Sequence, residues 1–329
     1  WDSLRNVPEG LLDGGIEWEL STAIGDGESD TTLVTGGKWG VFRSGNTAYG
    51  NACSTHVNLG VNSITGAEAE NNKYSAVTGG LDNVASGGYS SVAGGEHNIA
   101  SGTWATVSGG DWNTASGNDA AISGGYGNTA VGWASIGGGA SNNATGETST
   151  ISGGSTNTAS GYRSSVGGGY SNYASGNNST VGGGTDNDAD NYYATISGGY
   201  YGEAYGEYST VGGGEYSFAH GNFSNVDGGY DNEADGAYST IGGGSENDAD
   251  GTESTIGGGY SNYAYGSYSA IAGGKDNNVE GDYGTVAGGL ENSASGVLST
   301  VAGGQHNAAT SNNATVAGGY YNTASGSTS

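Results

Sequence analysis

Ser179-Thr180-Val181-Gly182-Gly183-Gly184-Thr185-Asp186-Asn187-Asp188-Ala189-Asp190-Asn191-Tyr192-Tyr193 is followed at once by Ala194-Thr195-Ile196, where the same pattern begins again. With the apolar residue before the glycines as position zero, seventeen Val or Ile residues run from Val77 to Val316. Each lies fifteen residues after the last, apart from one fourteen-residue step between Ile122 and Ile136. Gly-Gly follows at plus two and plus three in every copy; Asn stands at plus six and Gly at plus ten in fifteen copies each. Ala occupies plus eight in every copy except the one holding Val279. A fixed period of this length is the mark of a solenoid in which each repeat buries its apolar face only against its neighbours.

Val and Ile in short alternating runs predict strands rather than helix. Positions minus two, zero, six and eight share one side, because strand side chains alternate. The pattern therefore predicts a narrow, all-β parallel solenoid of about seventeen turns. Each turn holds two short strands, near minus three to plus one and plus five to plus nine. The Gly-Gly pair and the later Gly are expected to make the bends, since Gly alone adopts positive φ freely. Asn at plus six reads equally as a stacked amide ladder or as a left-handed bend residue.

The outward positions of the two strands differ. On the first strand, minus three is aromatic in ten copies, minus one is mostly Thr, and plus one is small. The second strand carries fourteen acids against three on the first. One Val or Ile per turn is little apolar burial for fifteen ordered residues. The charge-poor face is therefore expected to bury itself against another copy, through Tyr193, Thr195, Tyr208, Thr210, Phe223, Tyr238, Thr240 and Tyr268.

Composition sets limits on function. Of 329 residues 71 are Gly, which exceeds ordinary usage several-fold. Gly does not recur every third residue and there is one Pro, so collagen is excluded. The 23 Tyr and 6 Trp argue against disorder. A net charge of -27 makes nucleic acid and anionic membranes poor partners, and leaves cations, glycans and water. No apolar run reaches the length of a membrane span. With no Met, Trp1 reads as a processed or truncated start, as a removed signal peptide would leave, and the expected location is extracellular. Cys53 is alone and cannot staple the chain to itself.

The repeat at Ser179 to Gly184, with Asn187 and Ala189, resembles the head repeats of trimeric autotransporter adhesins, the YadA-like or Hep/Hag type. The likeness covers Tyr74 to Ser329. It implies a left-handed parallel β-roll, association of chains and binding to surfaces. The family's repeats are typically fourteen residues long with one Gly, whereas fifteen residues and Gly-Gly are the rule here. Similar Gly-Gly repeats also resemble those of bacterial fibre proteins.

Residues 1–73 depart from the pattern and are expected to cap or dock the solenoid, with degenerate turns at Val34-Thr35-Gly36-Gly37 and Val61 to Gly66. Trp1 to Leu20 holds the larger apolar residues of that cap. Ser329 falls at minus two of a further turn, which reads as truncation or as an end open for head-to-tail stacking. No enzyme chemistry is expected. His56, His97, His220 and His306 do not share turns, and no Ser, His and Asp trio is singled out. Calcium is the one candidate cofactor, at Asp231, Glu233, Glu246 and Asp248 on adjacent turns. Sequons at Asn143, Asn178, Asn222 and Asn313 permit glycosylation. The leading expectation is a structural or adhesive fibre. The rivals are an ice-binding protein using the Thr column and, more distantly, a glycan-active solenoid enzyme.

Overall fold

The computed structural model describes residues 57–66 and 74–326, with the backbone alone of His56 and of the strands Glu19–Leu20, Leu33–Val34, Gly40–Arg43 and Thr47–Ala48. Every element among the described residues is a β-strand, and no helix among them is long and apolar enough to cross a membrane. The protein is a parallel β-solenoid of about seventeen turns with two strands per turn. Two compact units divide the chain, residues 1–145 and 146–329.

In the second unit the position-zero residues are direct parallel partners: Val166 with Val181, Val181 with Ile196, Ile196 with Val211, Val211 with Val226. The second strands pair likewise, Ala174 with Ala189 and Ala189 with Ala204. The first unit repeats this from Val77 to Ile136 and from Ala85 to Ala144. Val, Ile and Ala at these positions are fully buried, as is the Asn at plus six in every turn that has one except the last, where Asn322 is exposed.

Most strands are two residues long, shorter than the sequence predicts. The reason lies at minus three and plus five, which adopt left-handed backbone. Tyr193, Tyr208, Asp186 and Tyr201 have φ of 56°, 57°, 53° and 53°. At these corners the amide points back to the preceding turn: Tyr208 N–H donates to Tyr192 O at 2.9 Å and Asp186 N–H to Tyr170 O at 3.0 Å. Within strands it points forward, as Thr195 N–H does to Ser209 O at 2.9 Å. Left-handed conformation costs a non-Gly residue about 1–3 kcal/mol, which these cross-turn hydrogen bonds offset.

The glycine at plus ten is therefore not a bend residue of positive φ, as the sequence reading had it. Its backbone is ordinary, but a Cβ on Gly102 would run into the carbonyl of Gly117 in the next turn. Close approach, not conformational freedom, favours Gly there, although Asn191 and Ser311 stand at the same place in two turns. In the fourteen-residue turn the corner loses one residue, and Gly132 takes the left-handed place with φ 63°.

The amide ladder is the outcome for Asn at plus six; the left-handed residue is its neighbour at plus five. Asn172 Nδ2 donates to Gly168 O of its own bend and Gly184 O of the next, both at 2.9 Å. Asn172 Oδ1 accepts the backbone N–H of Asn187 at 3.1 Å and its Nδ2 at 3.0 Å. Each Asn thus ties two Gly-Gly bends to one column. Gly202 and Ser217 interrupt the ladder, and Ser217 Oγ is buried without a hydrogen bond.

A size exchange marks one turn. Val279 stands where other turns have Ala, and Gly284 where they have Ser or Ala. A Cβ on Gly284 would lie 2.6 Å from Val279 Cγ1 and 2.8 Å from Gly281 O. Gly284→Ser alone should overpack the turn and cost about 1–3 kcal/mol in urea denaturation. Val279→Ala together with Gly284→Ser should recover nearly all of it. Additive losses would show that the two positions are independent.

Near the N-terminus the pattern loosens. Val57 and Asn58 pair with Ala76 and Val77, so buried Asn58 occupies the valine column and donates Nδ2 to Ser63 O at 2.9 Å. Ile64 and Thr65 pair with Val84 and Ala85, so the stretch from Val61 to Gly66 is part of a degenerate turn, as expected. Leu33–Val34 is not. It pairs antiparallel with both Glu19–Leu20 and Gly40–Arg43. The link from Val34 to Gly40 is too short for a parallel crossover. Of the expected cap over Trp1 to Leu20, all but the strand Glu19–Leu20 lies outside the described residues.

Candidate functional site

The left-handed corner at minus three points its side chain outward, and in-register stacking sets successive corners about 4.8 Å apart. Aromatic rings there form a ladder. Ring centroids are 4.9 Å apart for Tyr193 and Tyr208, 5.0 Å for Tyr208 and Phe223, and 4.8 Å for Phe223 and Tyr238. The last two pairs are within 3° of parallel. Tyr208 remains 45% exposed and Tyr238 55%. The faces of the rings cover one another, so the ladder presents its edges to solvent. Glu253 separates this group from Tyr268, which stacks on Tyr283 at 4.8 Å. In the first unit Tyr74, Tyr89 and Trp104 form the same ladder, whereas Trp133 in the short turn has no ring neighbour among the described residues.

Two residues along the chain from each ring, Thr195 faces Thr210 in register and Thr240 faces Thr255, with Asn225 between the pairs. The structure thus joins Tyr193, Tyr208, Phe223 and Tyr238 in one stack beside Thr195, Thr210 and Thr240, and leaves Tyr268 in a separate pair. A second aromatic column, at plus four and plus five, escaped the sequence reading. Tyr201 stacks on Tyr216 at 5.6 Å, with Tyr200 edge-on to both. Tyr170, Tyr200, Tyr230 and Tyr260 recur at every second turn, a double period that could have revealed it.

The outward side of the second strand mixes acids with rings. Asp188, Glu203, Phe218, Glu233 and Asp248 are successive partners at plus seven. Beside them, at plus nine, run Asp190, Tyr205, His220, Asp235 and Asp250. His220 Nδ1 lies 2.9 Å from Asp235 and Nε2 3.1 Å from Glu203, while its ring stacks on Tyr205 at 5.2 Å. Burial, reinforced by Asp250 and Glu233, pushes the Asp248 carboxyl up to about 7. Burial and then Asp190 push Asp188 up to about 6. The same burial, with Asp188 nearby, holds the Tyr205 hydroxyl well above its usual range.

These shifts predict a pH dependence. Carboxyls that stay protonated to about 6 and about 7 in the fold ionise near ~4 when unfolded. Between those values the native state binds more protons, so stability should fall as pH rises from about 4 to about 7. Asp248→Asn should flatten the slope of melting temperature against pH; an unchanged slope would assign it elsewhere.

Two groups of three ligand atoms gather within 4.8 Å among the described residues: Glu96, His97 and Asp111, and His220, Glu233 and Asp235. Of the expected calcium ligands Asp231, Glu233, Glu246 and Asp248, only Glu233 belongs to either. Asp231 and Glu246 sit at left-handed corners while Glu233 and Asp248 lie two residues on, and no three of the four bring ligand atoms within 4.8 Å of one another. The sequons fall at the surface: Asn178 and Asn313 at corners, Asn143 in the strand Asn143–Ala144, and Asn222 exposed with Oδ1 accepting Glu207 N–H at 3.0 Å. Ser224, the hydroxyl residue of the last sequon, is buried. Cys53 lies outside the described residues.

No family model matches the chain, and no curated protein is detectably similar to it in sequence.

Proposed function

We propose that this chain is a non-catalytic, extracellular structural protein whose repeats associate with other copies, building a fibre or adhesive surface coat. The observation that carries this reading is the half-exposed aromatic ladder beside the threonine column. A contiguous apolar stripe of this kind favours a partner surface. With net charge -27, copies of the chain repel one another except where carboxylates are scarce, and the ladder lies on that side. Because only ring edges are free, the stripe suits interdigitation with another stripe better than stacking on sugar rings. The acid clusters support a solvated or cation-binding role, since their carboxylates lie on an open strand face that does not enclose a substrate. The resemblance of the repeat to adhesin heads adds to this reading.

Sedimentation of the purified chain tests it. Assembly at micromolar concentration is expected, and Tyr208→Ser with Phe223→Ser should shift it to monomer at unchanged far-ultraviolet circular dichroism. A monomeric wild-type chain would overturn the proposal. One observation favours a second reading: Thr180, Thr195 and Thr210 stand in register on a flat strand face, a repeat that could order water as ice does. Thermal hysteresis abolished by Thr195→Lys would support ice binding; its absence in the wild type would dispose of it.

A further inference from the structure

We infer that Glu96, His97 and Asp111 form a binding site for a divalent transition metal, with His97 Nδ1 as its nitrogen ligand. His97 occupies a left-handed corner, φ 53°, and its amide donates to Leu81 O at 3.0 Å. Its ring stacks on Trp112 of the next turn at 4.3 Å and 11°, which fixes the imidazole plane. Held so, Nδ1 faces Glu96 Oε1 at 3.5 Å and Asp111 Oδ1 at 3.7 Å. Both Nδ1 and Asp111 Oδ1 are shut off from solvent and have no hydrogen-bond partner.

These separations are too long for hydrogen bonds, which close at about 2.7–3.2 Å. They lie close to the ~3.3–3.6 Å edge of a tetrahedron whose centre is ~2.0–2.2 Å from each ligand, the bond length of zinc to nitrogen and carboxylate oxygen, and all three ligand atoms fall within 4.8 Å of one another. The other described histidines differ. His220 is hydrogen-bond close to carboxylates at both nitrogens, 2.9 and 3.1 Å, and His306 Nδ1 lies 2.8 Å from Glu291. Those nitrogens are within hydrogen-bond distance of a carboxylate. At His97 the nearest carboxylate to Nε2, Asp82, is 3.6 Å away, so neither nitrogen is closed by a hydrogen bond. An imidazole with two carboxylates suits zinc, nickel or copper and not calcium, which takes oxygen ligands in larger number. Glu96, 49% exposed, leaves one side open for water.

The test is calorimetric titration of the chelator-treated full chain with zinc chloride, and quenching of tryptophan fluorescence by copper(II). One saturable micromolar site is expected, weakened in His97→Gln and Asp111→Asn by at least the ~10–100-fold that loss of an outer-shell partner alone costs, and kept in His220→Gln. Copper(II) electron resonance should show nitrogen coupling that His97→Gln removes, a signal that loss of fold alone would not mimic when circular dichroism is unchanged. Absence of a saturable site, binding indifferent to His97→Gln, or binding lost in His220→Gln would each overturn the assignment.

Discussion

Asn172→Leu should destabilise the chain by about 3–5 kcal/mol in urea denaturation, although leucine is larger, apolar and close in shape. The substitution removes the donors to Gly168 O and Gly184 O and the acceptor of Asn187 N–H. Each stranded buried group costs about 1–3 kcal/mol, which outweighs the gain from an apolar side chain. The loss should concentrate in the two bends that Asn172 joins, and amide hydrogen exchange there should accelerate first. Ser217→Asn is the opposite experiment. It places an amide in the natural gap of the ladder, where Ser217 Oγ has no partner, and should leave stability equal or higher. If Asn172→Leu cost no more than a surface substitution, the ladder would be an ornament of the fold rather than its support.

Gly184→Ala should cost about 3 kcal/mol or more, whereas Gly153→Ala should be neutral or slightly stabilising. The two glycines hold neighbouring places in the same bend of different turns. Gly184 has φ 92°, and a Cβ there would strike Gly199 O and lie 2.6 Å from Asn187 Nδ2. Strain at such a backbone costs about 1–3 kcal/mol before the clash is counted. A Cβ on Gly153 meets nothing within 4 Å, and alanine would restrict the unfolded chain. Melting temperatures of the two variants separate a glycine required by geometry from one that is only permitted. Equal losses would contradict the bend described here.

The repeat made the solenoid legible because position zero is β-branched in all seventeen copies and Gly-Gly follows each one. The corners were not legible. Minus three and plus five hold Tyr, Trp, Asp, Thr, Arg, His and Glu alike, so their left-handed backbone leaves no residue signature. That variety hides the strand ends, and it leaves the close approach that favours glycine at plus ten invisible in sequence. Asn at plus six was readable as ladder or bend, and only the direction of its amide decides. The coupling of Val279 to Gly284 rests on two exceptions in one turn, visible in sequence but meaningful only once the side chains face each other.

The candidate sites divide in the same way. Tyr193 to Tyr238 could be placed on one face from their spacing, but not the ring stacking that hides their faces. The calcium set joins acids of adjacent turns, of which no three gather as a ligand group among the described residues. Glu96 and Asp111 are fifteen residues apart, a spacing that carries no meaning in ordinary metal motifs and means contact in this fold.

Pulsed electron resonance between spin labels on the threonine column tests the in-register stack most directly. With Cys53→Ser to remove the one native thiol, labels would be placed at Thr195 and at Thr255, Thr285 or Thr315, four, six and eight turns away. Mixing with excess unlabelled chain keeps distances intramolecular. A rise of ~4.8 Å per turn predicts separations of ~19, ~29 and ~38 Å, growing linearly. Distances that plateau, scatter broadly or fail to increase with turn number would contradict the stack of in-register turns on which every reading above depends.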